Sequence, residues 1–455
     1  MFLFQSKHNR IAILSTLILV IILIISLAVF FSTLKIGSNQ PVLPFTINNY
    51  GDAWDGNITF GAIQLNPNNT NQVIGSNLVI MSTDGQIHYL RQSTGQDYWA
   101  IKNIAQDTLM FQGEPTTFTA NDPLSATHFW NYSSNITKGF PKVLSHHDIE
   151  YNPVNNTFLT LQAYIRTVNN NSILFDKIEE LDPTGKILWT WDTYDYIPLS
   201  EADPYNITAT ANGQPVIDFT HSNALQWDYN NSVIYLNIRH TNTFYKINQT
   251  NGNIIWGCGQ FGNFTLLNEN GTNATSLWYH SHDTTQIAPN TFTMFDNDFD
   301  NITNPNDCRS RMIEVTLNET DMTAKVTWSW EAPINFWTPY FGSVMVLPNG
   351  NVMGCFGTPT HQFTQNKPWD FNNTGAIIAE VTPEGKLVRT ITFPVGWEIY
   401  RVQKILPQNQ LPIQESLYTS EHYPVAFTIA LLFTVTLMVF IQWRRKRATV
   451  KLSEV

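Results

Sequence analysis

Charge is what this sequence has least of: 13% of its 455 residues are Asp, Glu, Lys or Arg, where roughly 25% is usual. A disordered chain has the opposite balance, high charge with few hydrophobics; 43% hydrophobic residues and 14 Trp exclude that class. Cysteine is scarce as well. With only Cys258, Cys308 and Cys355, at most one disulfide closes and one thiol is left over, and their wide spacing excludes a zinc knuckle. Gly and Pro, 23 of each, are too few for collagen, and no heptads run through the chain. Positive charge is missing from the middle. Seven of the 25 basic residues lie at the two ends against a single acid, Glu454, which leaves 18 basic and 35 acidic residues between them. A nucleic-acid partner requires a basic face, so no nucleic-acid binding is expected.

Two long apolar runs are present. Residues 11–34 and 424–443 carry no charge and are each long enough to span a bilayer as a helix. Lys7 and Arg10 precede the first, and Arg444, Arg445, Lys446 and Arg447 follow the second. The positive-inside rule then places the tails 1–10 and 444–455 in the cytoplasm and the body outside a cell membrane. Fifteen Asn-Xaa-Ser/Thr sequons, from Asn57 to Asn372, all fall between the two runs, as in an N-glycosylated ectodomain. Residues 35–50 and 403–423, with Pro and no periodicity, read as a linker and a stalk around a body of residues 51–402.

The body is a succession of short strands with two recurring phrases. One is a hairpin on a Gly turn: LDPTGKILWTW from Leu181, INQTNGNIIWG from Ile247, VTPEGKLVRTI from Val381 and, more weakly, MSTDGQIHYL from Met81. Alternating apolar strands around Asp/Asn-Xaa-Xaa-Gly are hairpin chemistry. The other opens on a small polar cluster, runs as a strand, turns and returns, starting at His146, His221, His280 and Gly342. His147, His221, His282 and Ser343 recur at steps of 74, 61 and 61 residues. A unit of that length with two hairpins is a four-stranded sheet, and such units arranged radially make a β-propeller. The reading is an all-β fold, a β-propeller ectodomain of about five or six blades, flanked by an N-terminal and a C-terminal transmembrane helix.

Equivalent positions of successive blades surround one axis, so His147, His221 and His282 are expected to face a common channel, with His146 and His280 as rivals beside them. Pairing Asp228 with Ser232 across the turn places His221 opposite Arg239 on the ladder, with Asn223 on the His221 face. Imidazoles, an amide and a guanidinium make a donor-rich pocket for a tetrahedral oxyanion, and imidazole can itself act as a nucleophile.

At this point the sequence resembles the arylsulfotransferases. The likeness runs from about Lys142 to Lys404, is densest over DFTHSNALQWDYNNSVIYLNIRHTNTFYKINQTNGNIIWGCG at 218–259, and continues through HDTTQIAPNTFTMFDND, SRMIEV, LPNGNVMGCFG and IYRVQK. It implies a six-bladed propeller that moves a sulfuryl group from an aryl sulfate donor to a phenolic acceptor through a sulfated histidine. It implies no 3′-phosphoadenosine 5′-phosphosulfate, no metal and no other cofactor. By motif, His282 resembles the nucleophile, with Asp283 or a backbone carbonyl orienting its ring. His147, His221 and Arg239 resemble its catalytic partners, and Asn223 a substrate-binding residue. Asp283 to Pro289 is one residue longer than the family spacing, and two membrane anchors depart from the family's habit. A non-catalytic surface propeller for glycan or protein, and a His-ligated metal site, stay open as alternatives.

Overall fold

The computed structural model describes residues 43–405 apart from 67–68, 94–97, 120–121, 202–207, 212–213, 300–307, 365–366 and 372–374. The two apolar runs, the basic tails and most of the stalk lie outside the described residues; among those described, no helix is long and apolar enough to cross a membrane.

Among the described residues six sheets of four or more strands, antiparallel but for one added strand each in the third and fifth, follow one another along the chain. Sheet II holds Trp99–Ala105, Thr108–Thr119, Asp122–Asn131 and Ile136–Ser145. Sheet III holds Ile149–Asn152, Thr157–Val168, Asn171–Leu181 and Ile187–Asp192, with Gln214–Asp218 and Thr208–Ala211 added. Sheet IV holds Ser222–Asp228, Val233–Ile238, Thr243–Asn248 and Ile254–Gly259. Sheet V holds His282–Ala288, Thr291–Asp296, Arg311–Asn318 and Thr323–Glu331, with Thr265–Leu267 on its edge. Sheet VI holds Ser343–Val346, Val352–Phe356, Ile377–Val381 and Leu387–Thr392. Sheet I is made from both ends of the body: Trp397–Lys404 is its first strand and pairs with Asn57–Asn66, followed by Asn69–Ser82 and Ile87–Ser93.

Each sheet buries one face against the next. Leu78 and Ile80 of sheet I meet Ile101 and Phe111 of sheet II, and Phe129 and Phe140 of sheet II meet Tyr151 and Phe158 of sheet III. The contacts continue through Phe175 and Leu236, Phe244 and Phe292, and Phe295 and Phe356. They return to sheet I where Met353 and Ile378 of sheet VI pack on Phe60 and Ile399. The result is a closed ring, a propeller-like β fold.

The Gly-turn phrase is the hairpin between the third and outermost strands of sheets I, III, IV and VI. In sheet III Asp182 accepts hydrogen bonds from the backbone N–H of Thr184 and Lys186. There Gly185 sits at φ +82°, a region that other residues enter only with strain.

Two boundaries differ from the sequence reading. Thr46–Asn49, placed in the 35–50 linker, is a strand on the edge of sheet VI, paired with Leu387–Thr392. Gln403 and Lys404, placed in the stalk, complete the closing strand. The expected pairing of Asp228 with Ser232 is also off by one, since Asp228 faces Val233. A bulge between Ser222 and Ala224 takes up the difference, so Ser222 still lies opposite Ile238 and the Arg239 N–H still reaches the His221 carbonyl at 3.4 Å. The extra residue after Asp283 is absorbed in the same way, by register shifts between His282 and Thr285 and between Gln286 and Ala288. All three cysteines are buried, and none is in a disulfide.

Candidate active site

Every first strand runs in the same sense through the ring, so the residues that open these strands meet at one end of the central channel. At that end stand Trp99, His147, His221, His282 and Phe341, at or just before the first residue of their strands, together with Tyr400 from inside Trp397–Lys404. The His147 and His221 rings are 4.8 Å apart between centroids, and Tyr400 lies 5.9 Å from His147 and 6.3 Å from His282. The ring has two halves. Sheets III, IV and V supply the three imidazoles. Trp99, Phe341 and Tyr400, from sheet II, the entry to sheet VI and sheet I, pack edge to face at 4.8 to 5.4 Å.

The entries are strained. Ala100, His147, His221, Asp283 and Phe341 all have φ between +38° and +67°, a conformation that costs a non-glycine residue about 1–3 kcal/mol and persists only where the surroundings impose it. Tight turns join the strands at the opposite end of the ring, while the longer connections lie at the histidine end, over 193–221, 260–281 and 332–342.

His282 is 1% exposed. Its Nδ1 lies 2.7 Å from Asn297 Oδ1. The Asn297 amide is fixed in orientation, because its Nδ2 donates to the carbonyls of Thr338 and Phe341 at 2.7 and 2.8 Å. Its oxygen must therefore face His282, so Nδ1 carries the proton and Nε2 the lone pair. The Phe341 N–H points at Nε2 from 3.3 Å. Burial, reinforced by the Arg239 guanidinium, holds the His282 pKa well below its ordinary value, so the ring is neutral. A neutral imidazole in one fixed tautomer is a ready nucleophile. Asp283, expected as a possible orienter, turns instead to the Val344 N–H at 3.0 Å and to Arg401 at 3.6 Å.

Asn297→Leu, which deletes this acceptor at similar volume, is expected to lower turnover about 10–100-fold, as loss of an orienting partner commonly does. Steady-state kinetics with an unchanged melting temperature would check it.

The other candidates fall as follows. His221 Nδ1 is 2.7 Å from Asp218 Oδ2, a direct imidazole–carboxylate pair. Arg239, in the turn Arg239–Thr241 after its strand, donates from Nη1 to His240 Nε2 at 2.5 Å and from Nη2 to the Pro339 carbonyl at 3.1 Å. His147 is buried and, with His221 and His146 beside it, has its pKa lowered well below the usual value. His146 lies directly behind it, Nδ1 to Nδ1 at 2.8 Å. His280 is set back, against His240 and Phe299. Asn223 occupies the expected place but is wholly buried; its amide donates to the Ser281 carbonyl and accepts from Asn237. Its side chain thus joins sheets IV and V.

Beneath the ring lies a charged layer that the sequence reading did not pick out. Arg401 donates to Asp148 at 2.9 Å and to the Asn223 carbonyl, and faces Asp283. Lys102 bridges Asp148 at 2.8 Å and Glu150 at 2.5 Å. Burial raises the Asp283 carboxyl to about 6, against the opposing pull of Arg401. Below this layer the channel opens into a cavity of about 740 Å³ lined by Lys102, Glu150, Thr285, Met345 and Gln403. Among the described residues, Asp218, His221 and His240 could together offer ligands to a metal ion. Both His240 nitrogens are already engaged, Nδ1 with the Asp218 carbonyl and Nε2 with Arg239, so an ion bound there would have to displace one of these partners.

The profile of the arylsulfotransferase (ASST) family matches residues 58–401. No curated protein matches the chain. Among solved structures, a protein of unknown function from Bacteroides caccae is 10% identical and covers 78% of this chain and 100% of its own, with a TM-score of 0.41. The periplasmic gluconolactonase PpgL of Pseudomonas aeruginosa is 9% identical over 77% of this chain and 100% of its own, TM-score 0.40. Apo AztD from Citrobacter koseri is 8% identical over 76% and 97%, TM-score 0.36. The family match takes in strands of all six sheets, from Ile58 in sheet I to Arg401 in its closing strand, and the chain belongs to the arylsulfotransferase family.

Proposed function

We propose that this protein is a membrane-anchored extracellular sulfotransferase, a six-bladed propeller that carries a sulfuryl group from an aryl sulfate ester to a phenol on His282. The observation that carries the proposal is the fixed tautomer of His282, a buried neutral imidazole whose proton Asn297 holds at Nδ1, which puts the lone pair on Nε2, where an incoming sulfur would replace the Phe341 N–H contact. In the first half-reaction Nε2 attacks sulfur and the bond from sulfur to the aryl oxygen breaks, its electron pair leaving on the phenolate. In the second, a phenol oxygen gives its proton to His147 or His221 and attacks sulfur, and the S–N bond returns its pair to His282. Sulfuryl transfer shares the loose, charge-rich transition state of phosphoryl transfer, for which positioning and charge stabilisation matter most. The Phe341 N–H, 3.3 Å from Nε2, and the Arg239 guanidinium, whose charge acts on His282, are the donors assigned to the developing charge.

The divided ring supports an aryl ester in particular. Trp99, Phe341 and Tyr400 offer ring faces and edges to an aromatic group, while the imidazole half meets the sulfuryl group. Extracellular placement between two anchors rests on the charge pattern of the ends and on the sequons. None of the described sequon asparagines is buried, and Asn57, Asn155, Asn170 and Asn230 are fully exposed, as glycan attachment requires.

The test is full-length protein with 4-nitrophenyl sulfate and phenol. Nitrophenol release that depends on phenol, yields phenyl sulfate and is unaffected by chelator is expected. Release that continues past one equivalent without phenol would make the protein a sulfatase, loss with chelator would favour the metal reading, and no release from folded protein would favour a binding module.

A further inference from the structure

Behind His147 is a buried line of polar groups that neither half-reaction has used. His146 Nδ1 meets His147 Nδ1 at 2.8 Å, and His146 Nε2 meets Asp176 Oδ1 at 3.2 Å. All three residues are nine-tenths or more buried. The Asp176 carboxylate is itself held from the other side, where Oδ2 accepts from Thr220 Oγ1 at 2.7 Å and from the Ser222 N–H at 2.6 Å. One carboxylate thus anchors both the ring behind His147 and the turn that carries His221.

The proton positions follow from the ends of the line. Burial pushes the Asp176 carboxyl up, but His146 beside it and the Thr220 and Ser222 hydrogen bonds outweigh it and keep the group ionised. An ionised carboxylate can only accept, so with Oδ1 at 3.2 Å it favours a His146 proton on Nε2, although the two groups are not aligned as a hydrogen bond. A singly protonated His146 then presents a lone pair at Nδ1, and the short Nδ1–Nδ1 contact takes its proton from His147. That leaves His147 unprotonated at Nε2, the nitrogen that can take a proton from an incoming phenol.

We propose that Asp176 and His146 form a buried relay that fixes His147 as an Nε2 base, so that His147, rather than His221, takes the phenol proton in the second half-reaction. His146 and Asp176 are positioning residues in this account. The proposal rests on the sulfuryl-transfer reading of the site for the reaction step, and on geometry alone for the tautomers. In the step itself the phenol O–H proton moves to His147 Nε2, the phenol oxygen bonds to sulfur, and the S–N pair returns to His282. The imidazolium formed at His147 keeps its Nδ1–H on His146, whose Nε2–H remains on Asp176.

The experiment is 15N NMR of the full-length protein labelled at histidine, together with transfer kinetics of His146→Leu and His146→Gln. Wild type is expected to show protonated Nδ1 at His147 and protonated Nε2 at His146. His146→Leu should lose the fixed His147 tautomer and lower transfer to phenol on the order of 10²-fold. His146→Gln, whose amide oxygen can accept from His147 and whose NH₂ can donate to Asp176, should restore most of the rate. A doubly protonated His146, a His147 protonated at Nε2, or a folded His146→Leu protein that transfers at the wild-type rate would overturn the relay. Failure of the function reading looks different: the expected tautomers in a protein that never sulfates His282.

Discussion

Asparagine in place of His282 ends turnover. The loss is expected to be on the order of 10⁴-fold or more, as when a covalent nucleophile is removed, because neither Asn297 nor Arg239 can form the intermediate. Wild-type protein mixed with 4-nitrophenyl sulfate and no acceptor should release one equivalent of nitrophenol in a burst and gain one sulfuryl group on the peptide containing His282, detectable by mass spectrometry under alkaline conditions. His282→Asn should show neither. The pH dependence has a definite sign. Since burial and Arg239 hold the His282 pKa well below 6.5, the attacking form persists as pH falls through 6.5, and the burst amplitude should stay level from about pH 8 to that point. A burst that halves near 6.5, or one that survives in His282→Asn, would move the nucleophile elsewhere.

Arg401→Leu is expected to cost about 3–5 kcal/mol of stability, the usual result of removing one partner from a buried ion pair. Arg401 is 5% exposed and reaches Asp148 in sheet III, the Asn223 carbonyl in sheet IV and Asp283 in sheet V while standing in sheet I. Without it, Asp148 keeps Lys102 and Asp283 keeps only the Val344 N–H among these partners. Neutralising the exposed partner in Arg401→Leu/Asp283→Asn should return part of the loss, and a double-mutant cycle in urea would measure the coupling. A single mutant within 1 kcal/mol of wild type would show that the charged layer does not hold the four sheets together.

How much of this could be read from the sequence depended on whether a position repeats its residue type. His147, His221 and His282 share a side chain as well as a register, so three sheets declared themselves. The equivalent residues of the other three are Trp99, Phe341 and Tyr400, and in a chain that is 13% aromatic nothing separates a ring facing the channel from one in a core. Ser343, read as the fourth repeat position, lies two residues past Phe341. Asn297 could not be found by spacing, because the second strand of sheet V brings it to His282 through the ladder. The choice between His146 and His147 was posed as either one or the other, whereas the backbone strain at His147 lets adjacent residues stack in depth and use both. Hairpin arithmetic put Arg239 near His221 although the turn pairing was wrong, because a compensating bulge is invisible to counting.

The way the ring closes also sets how the molecule answers to force. The strand nearest the N-terminus, Thr46–Asn49, is bonded to sheet VI, and the strand nearest the C-terminus, Trp397–Lys404, is bonded to sheet I. The two ends are crossed over a single seam like the halves of a clasp. Traction on either terminus must strip a strand from a sheet built mainly by the opposite end of the body. At the C-terminal side the strand that peels first carries Tyr400 and Arg401, so mechanical tension would disarm the site while most of the fold stayed intact.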